Sequence, residues 1–311
     1  MLLPIKKFYK LFKDPEKTED ELTFNWDNEK LLEVKTKKKS FLCINGKPVL
    51  IDFSQSIIKE EWFKNTEENI SIIGKRGDFL RKIKNLITGS SNNTSKSIDI
   101  FKKNLSKDST VLLIGSGSIG LGLKDLYNDE SINIIACDIY PNNKIQFIAD
   151  GHNIPLKNSS VDGVIIQAVL EHVLDPKIVA TEIFRVLKNE GIVYAETPFL
   201  QESHEEPYDF TRFTELGHRW LFKNFEQIHR KVNGGPGLTL YWSIRSVLRA
   251  IIGNKLVTNL ISLPFIFLSL IDYIIPENRK IKGANGFIFI GKKTSKTISE
   301  NEITNHYIGV K

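Results

Sequence analysis

The stretch Val111–Leu126, VLLIGSGSIGLGLKDL, decides how the chain is read. An apolar run meets Gly115, and Gly115, Gly117 and Gly120 spell G-x-G-x-x-G ahead of a helical pattern. Glycines at such a turn let backbone approach a ligand where a Cβ would obstruct it. The next apolar run, INIIACD, ends at Asp138, whose carboxylate can accept hydrogen bonds from both hydroxyls of a ribose. Taken alone, the spelling reads as a dinucleotide site. The residues beyond Asp138 change that reading.

Outward from this stretch, strands and helices alternate. STVLLIG is a buried strand and SIGLGLKDLY begins a helix. INIIACD is the second strand, KIQFIAD a third ending at Asp150, VDGVIIQAV a fourth and GIVYAETP a fifth. Asp175-Pro176 opens a helix with an N-cap acid and a proline at the first helical position. Val179, Ile183, Val186 and Leu187 share one face of it. Apolar strands alternating with amphipathic helices require a parallel sheet covered on both faces, a doubly wound α/β fold. Ligands of such sheets lie beyond the carboxyl ends of the strands.

Composition divides the 311 residues into three parts. Residues 1–97 form an N-terminal extension. Within it, Asn45-Gly46 between two apolar runs signals a hairpin, residues 56–88 look helical, and GSSNNTSKS (89–97) reads as a polar linker with nothing to bury. Residues 98–232 form the regular core. Residues 233–311 open with NGGPG and run into an apolar helical stretch.

The charge of +6 is mild and comes with no Arg-rich tract, so a nucleic-acid partner is not expected. Cys43 and Cys137 form no metal-binding spacing; no metal is expected, and the cysteine usage suits a reducing cytoplasm. The basic amphipathic start, MLLPIKKFYKLFK, reads as a terminal helix docked on the body or as a membrane-surface contact. Leu256–Ile271 is sixteen uncharged residues, short of the about 20 that a membrane span needs. A helix buried against the sheet or in a homodimer is the first expectation there. Peripheral attachment at the inner membrane face is the second.

FIADGHNIPLKNSSVDGVIIQAVLEHV, followed by a helix and LKNEGIVYAETP, resembles the class I S-adenosylmethionine-dependent methyltransferases over about 110–200. That resemblance implies a mostly parallel seven-stranded Rossmann-like sheet, with NGFIFIGKK as its final antiparallel strand. It also implies S-adenosyl-L-methionine as cofactor. Gly115, Ser116 and Gly117 would pass under the methionine part, Asp138 would hold the ribose and Ile139 would pack on the adenine. Asp150 would accept from the adenine amine with Gly151 beside it, and Gln167 and Ala168 would line the sulfonium side. Where the family usually has an acid two residues before the first glycine, this chain has Leu113.

PFLQESHEEPYDFTRFT, 198–214, resembles a substrate-facing loop of bacterial methyltransferases, often of glycan-biosynthesis type. His204 is its candidate base, and Glu205, Asp209 and Arg212 are candidate substrate contacts. Asp209 and Arg212 also read as an ion pair bracing the loop. His172 either reaches the cofactor or acceptor or caps a helix, and His218 reads as structural. FLCINGKPVLIDF is similar to the end of a Trm112-like module that has lost its cysteine ligands. The resulting expectation is methyl transfer to a small-molecule or glycan/lipid-linked sugar acceptor. An NAD-dependent oxidoreductase and a non-catalytic cofactor-binding scaffold are the alternatives. Against the oxidoreductase stand the Asp150 segment and the lack of a Tyr-x-x-x-Lys pair after strand four.

Overall fold

The computed structural model describes residues 1–16, 20–64 and 90–310. Seven strands form the main sheet: β1 (Ser109–Ile114), β2 (Ile132–Asp138), β3 (Phe147–Ile148), β4 (Val161–Gln167), β5 (Leu187–Pro198), β6 (Phe225–Val232) and β7 (Gly286–Lys293). Their spatial order is β6-β7-β5-β4-β1-β2-β3. Neighbours from β3 to β5 pair in parallel. Strand β7 runs antiparallel between β5 and β6, as expected of NGFIFIGKK. The carboxyl ends of β1, β2, β4 and β5 therefore open onto one rim.

Alternation along each strand feeds two apolar layers. Leu112 and Ile114 of β1 point into one, with Val164, Val193 and the helix Pro176–Val186. Val111 and Leu113 point into the other, with Ile165, Tyr194 and Phe101. Both faces are thus sealed, the condition for a parallel sheet. Leu113, standing where the family usually has an acid, is a buried member of the second layer.

The helices around the sheet and after it include α1 (Ser90–Lys103), α2 (Lys124–Tyr127), α3 (Pro176–Val186), α4 (Glu215–Leu221), α5 (Pro236–Ile252) and α6 (Lys255–Ser262), with a 3-10 run over Leu263–Tyr273. Asp175 caps α3 by accepting from Lys177 N–H at 2.9 Å and Ile178 N–H at 3.3 Å, with Pro176 in its first turn.

Three expectations change. The polar stretch expected to be a linker belongs to α1 from Ser90 onward. Thr94 and Ser97 are buried because other polar groups receive them: Glu196 faces Thr94, and Ser97 lies 3.3 Å from His229 Nε2. Asn93 donates to the Asn233 carbonyl at 2.9 Å. The helix expected from Ser118 begins only at Lys124, with Gly122 at φ +73° in the intervening loop. The third strand is two residues long rather than reaching Asp150. The helical reading of 56–88 is met at Glu61–Lys64; residues 65–88 lie outside the described residues.

The N-terminal segment is docked. Its apolar residues Phe8 and Phe12 sit in the first layer against Phe147, and Leu3 N–H donates to Ile134 O at 2.8 Å on the β2 edge. A three-stranded sheet, Thr23–Asp27, Lys30–Lys35 and Ser40–Phe41, covers this side. The Asn45-Gly46 turn joins Cys43–Ile44 to Lys47–Pro48, both turn residues having positive φ as a tight hairpin requires.

The apolar C-terminal stretch is not buried against the sheet. Thr258, Ser262, Ser269 and Asp272 are its buried residues, while Leu256 is 80% exposed, Leu260 70% and Ile274 82%. Polar residues face inward because Asp272 receives the N-terminus of α5: it accepts from Gly235, Gly237 and Leu238 N–H at 3.0, 2.7 and 3.0 Å.

Candidate active site

The rim is built from five chain turns. Gly115, at the end of β1, has φ +78°, and a Cβ there would stand 2.2 Å from Val169 Cγ2. Glycine is therefore required both by the turn and by the loop after β4 that packs over it. Ser116, buried beside it, donates its N–H to Cys137 O at 3.1 Å, as Gly115 does at 3.0 Å. A Cβ on Gly117 would meet Asp138 Oδ2 at 3.1 Å, so the glycine loop crosses directly above that carboxylate. Gly120 has another use: a Cβ there would lie 1.9 Å from Gln167 Oε1.

Burial pushes the Asp138 carboxyl up to about 6, against the N–H groups of Tyr140, Ile139 and Gly117 that pull it down. Those partners are backbone donors, and the carboxylate keeps acceptor capacity for hydroxyl donors. Ile139 is half-buried beside it. Asp150 is more enclosed. Its Oδ1 accepts from His152 N at 2.9 Å and lies 2.7 Å from His152 Nδ1, and its Oδ2 accepts from the Ser56 hydroxyl. Burial raises its pKa, but the hydrogen bonds from His152 and Ser56 leave it below the usual carboxylate range. An adenine amine at Asp150 would have to share it with these two partners. Gly151 follows, its Cβ position in ordinary contact with Val179.

Gln167 ties β4 to the glycine loop. Its amide donates to Leu121 O at 3.2 Å and to Glu196 Oε2 at 2.9 Å. Glu196 is buried and also accepts from Tyr194 Oη at 2.6 Å and from Asn233. Gln167 Oε1 is buried without a hydrogen-bond partner. Ala168, next along, has φ +54°, a left-handed conformation that costs an L-residue free energy and recurs at functional sites.

Beyond β4 and β5, the rim carries the imidazoles. His172 and His204 stand edge to face with centroids 4.9 Å apart. Between them is Glu171, fully buried, its Oε1 3.8 Å from His172 Nε2 and 3.6 Å from His204 Nε2. The Glu171 carboxylate raises the His204 pKa against the opposing effect of burial. Asp209 and Arg212 form a two-point ion pair, Arg212 Nη2 reaching Asp209 Oδ2 at 2.6 Å. Asp209 also accepts from His204 N–H at 2.9 Å, and Arg212 holds its carboxyl down at about 2. These two side chains brace the loop. Glu205, with φ +59°, is exposed on it. His218 lies buried among Phe213, Phe222 and Phe289, and burial lowers its pKa to about 3.

Residues 112–195 match the family model described as a methyltransferase domain. No curated protein matches the sequence. Solved structures with a similar chain path include a SAM-dependent methyltransferase from Archaeoglobus fulgidus, at 16% identity and TM-score 0.44, covering 69% of this chain and 100% of that one. Phosphoethanolamine N-methyltransferase 2 of Haemonchus contortus in complex with S-adenosyl-L-methionine matches at 15% identity and TM-score 0.42, covering 64% and 52%. A SAM-dependent methyltransferase from Methanosarcina mazei matches at 18% and 0.38, covering 62% and 96%. The core is a class I S-adenosylmethionine-dependent methyltransferase domain, the protein is an enzyme of that class, and S-adenosyl-L-methionine is its cofactor.

Sequence reasoning missed three residues of the rim. Ser56 is far away in the chain, and no local signal marks it. His152 joins Asp150 to the α3 cap through its Nε2, which accepts from Asp175 N–H at 3.1 Å. Glu171 stood in the L-E-H segment without an assigned role.

Proposed function

We propose that this enzyme methylates a hydroxyl of a carbohydrate acceptor carried on a lipid, working at the inner face of a membrane. The observation carrying this reading is the reversed packing of the C-terminal helices. Ile251, Leu256, Leu260 and Ile274, each at least 70% exposed, leave apolar side chains to solvent along this C-terminal region. A surface of this kind marks an interaction site. Arg249 and Lys255 flank it, and its one acid, Asp272, is turned inward, which suits an anionic lipid surface. The free thiols Cys43 and Cys137 fit the cytoplasmic side.

The surface is tied to the reaction rim. Arg245 of α5 forms an ion pair with Glu202, two residues before His204. An element resting on lipid thereby holds the loop that would receive the sugar. In this reading Asp138 and the glycine loop hold the cofactor, which supplies an activated methyl group on sulfur. Gly115, Ser116 and Gly117 bring backbone to its methionine part, and Gln167 and Ala168 shape the wall beside it. His172 and His204 stand where an acceptor hydroxyl would give up its proton.

Sedimentation with phosphatidylglycerol and phosphatidylcholine vesicles tests the membrane part. The protein is expected to pellet with the anionic vesicles, and Leu256→Ser/Leu260→Ser to remain in the supernatant with its fold intact. Incubating membranes with methyl-labelled cofactor tests the acceptor: label is expected in the lipid extract. Label found only in free small molecules, with no vesicle binding, would overturn the proposal.

A further inference from the structure

We infer that Glu171, His172 and His204 form a binding site for a divalent first-row transition ion, zinc foremost. Three observations converge. The first is the orphan carboxylate: Glu171 is fully buried, and neither of its oxygens makes a hydrogen bond. A buried carboxylate whose nearest partners are two imidazole nitrogens beyond hydrogen-bond distance is costly, and a cation between the three groups is what removes that cost.

The second is the tautomer of both imidazoles. His172 Nδ1 lies 2.5 Å from the Tyr208 carbonyl oxygen, and His204 Nδ1 lies 3.2 Å from the Glu202 carbonyl oxygen. A carbonyl only accepts, so each Nδ1 carries the hydrogen and each Nε2 of the neutral ring offers a lone pair. Metal-binding histidines are oriented in this way, donating the other ring N–H to a backbone carbonyl.

The third is convergence. One ring nitrogen of each histidine and a Glu171 oxygen all lie within 4.8 Å of one another, and each Nε2 is within 3.8 Å of Glu171 Oε1. Tetrahedral ligands at about 2.0–2.1 Å from zinc stand roughly 3.4 Å apart, so the observed 3.6 and 3.8 Å need only a small contraction. Two imidazoles and a carboxylate make three ligands and leave a position open, the arrangement of catalytic rather than closed structural sites.

Both rings retain some exposure while the carboxylate has none, so the open position faces the rim. Resting on the proposed hydroxyl acceptor, the ion's role is to bind that oxygen and acidify it; with both imidazole lone pairs on the ion, the proton passes to solvent water and not to His172 or His204. The expectation of no metal rested on the spacing of the two cysteines; this cluster brings together Glu171–His172 and His204, which a helix and a strand separate in the chain.

The test uses the full chain, dialysed against EDTA, then titrated with Zn2+ by calorimetry and with Co2+ by visible absorption. S-Adenosylhomocysteine binding is measured on every sample. One equivalent of zinc is expected, with ligand-field bands for cobalt. Glu171→Gln and His204→Ala should each weaken zinc by at least about 100-fold, while His306→Ala, outside the cluster, should not. Zinc binding with S-adenosylhomocysteine binding lost would count against the methyltransferase reading and leave the metal site standing. If the folded protein binds S-adenosylhomocysteine but takes up zinc no better than His204→Ala, the inference falls, and the cluster is a carboxylate–imidazole ion pair.

Discussion

At the scale of single residues, Asp138 gives the sharpest forecast. Its carboxyl titrates at about 6 because burial disfavours the charge. Ribose hydroxyls donate to the ionised form, so affinity for S-adenosylhomocysteine should fall as pH drops through about 6. Asp138→Asn should abolish that dependence and weaken binding roughly 10- to 100-fold, the loss of hydrogen bonds to a charged group. Calorimetry from pH 5 to 8 reads both effects. The ligand-free protein should behave oppositely. A carboxyl raised in the folded state contributes stability below its unfolded value and loses it as pH rises through about 6. Thermal unfolding should therefore find Asp138→Asn more stable than the parent at pH 7.5, the gap closing toward pH 4. Asp138 was legible in the sequence because one local pattern, a strand ending in an acid after a glycine turn, places it. Glu171 was not, since its meaning comes from His204, 33 positions away.

At the scale of elements, α3 and the C-terminal helices teach opposite lessons. The apolar face of α3 and its Asp175-Pro176 start could be read directly, because capping and periodicity act within a few residues. Of the readings that hydrophobicity offered for α6 and the 3-10 run, burial against the sheet does not hold. Their packing is decided by Asp272, a single acid that the α5 N-terminus captures. Asp272→Ala should cost about 1–2 kcal/mol of local stability, the upper range for a lost cap. Hydrogen exchange should show residues 255–275 deprotected, with β1 and β4 unchanged. The first half of α1 looked like a linker because its buried residues, Thr94 and Ser97, are polar, and Glu196 and His229 make their burial favourable.

At the scale of the whole molecule, the N-terminal segment is part of the main core rather than an appendage. Phe12 packs edge-on to Phe147 at 5.0 Å and stacks with Phe24 at 5.8 Å. Phe12→Ala should lower global stability by about 3–5 kcal/mol in denaturant titration; a loss under 1 kcal/mol would make that segment peripheral. The strand order also governs synthesis. Among the described residues, strand β6 pairs only with β7, and β7 is the last strand of the sheet to be made. A nascent chain that has left the ribosome as far as Tyr273 carries β6 with no neighbour and β5 as an open edge. It also already displays the apolar helices. Such unfinished edges invite aggregation. On the proposed membrane contact, an emerging chain that meets lipid at that stage would have its greasiest segment sheltered before the sheet is closed, and the yield of folded protein in cell-free translation should rise when anionic vesicles are present.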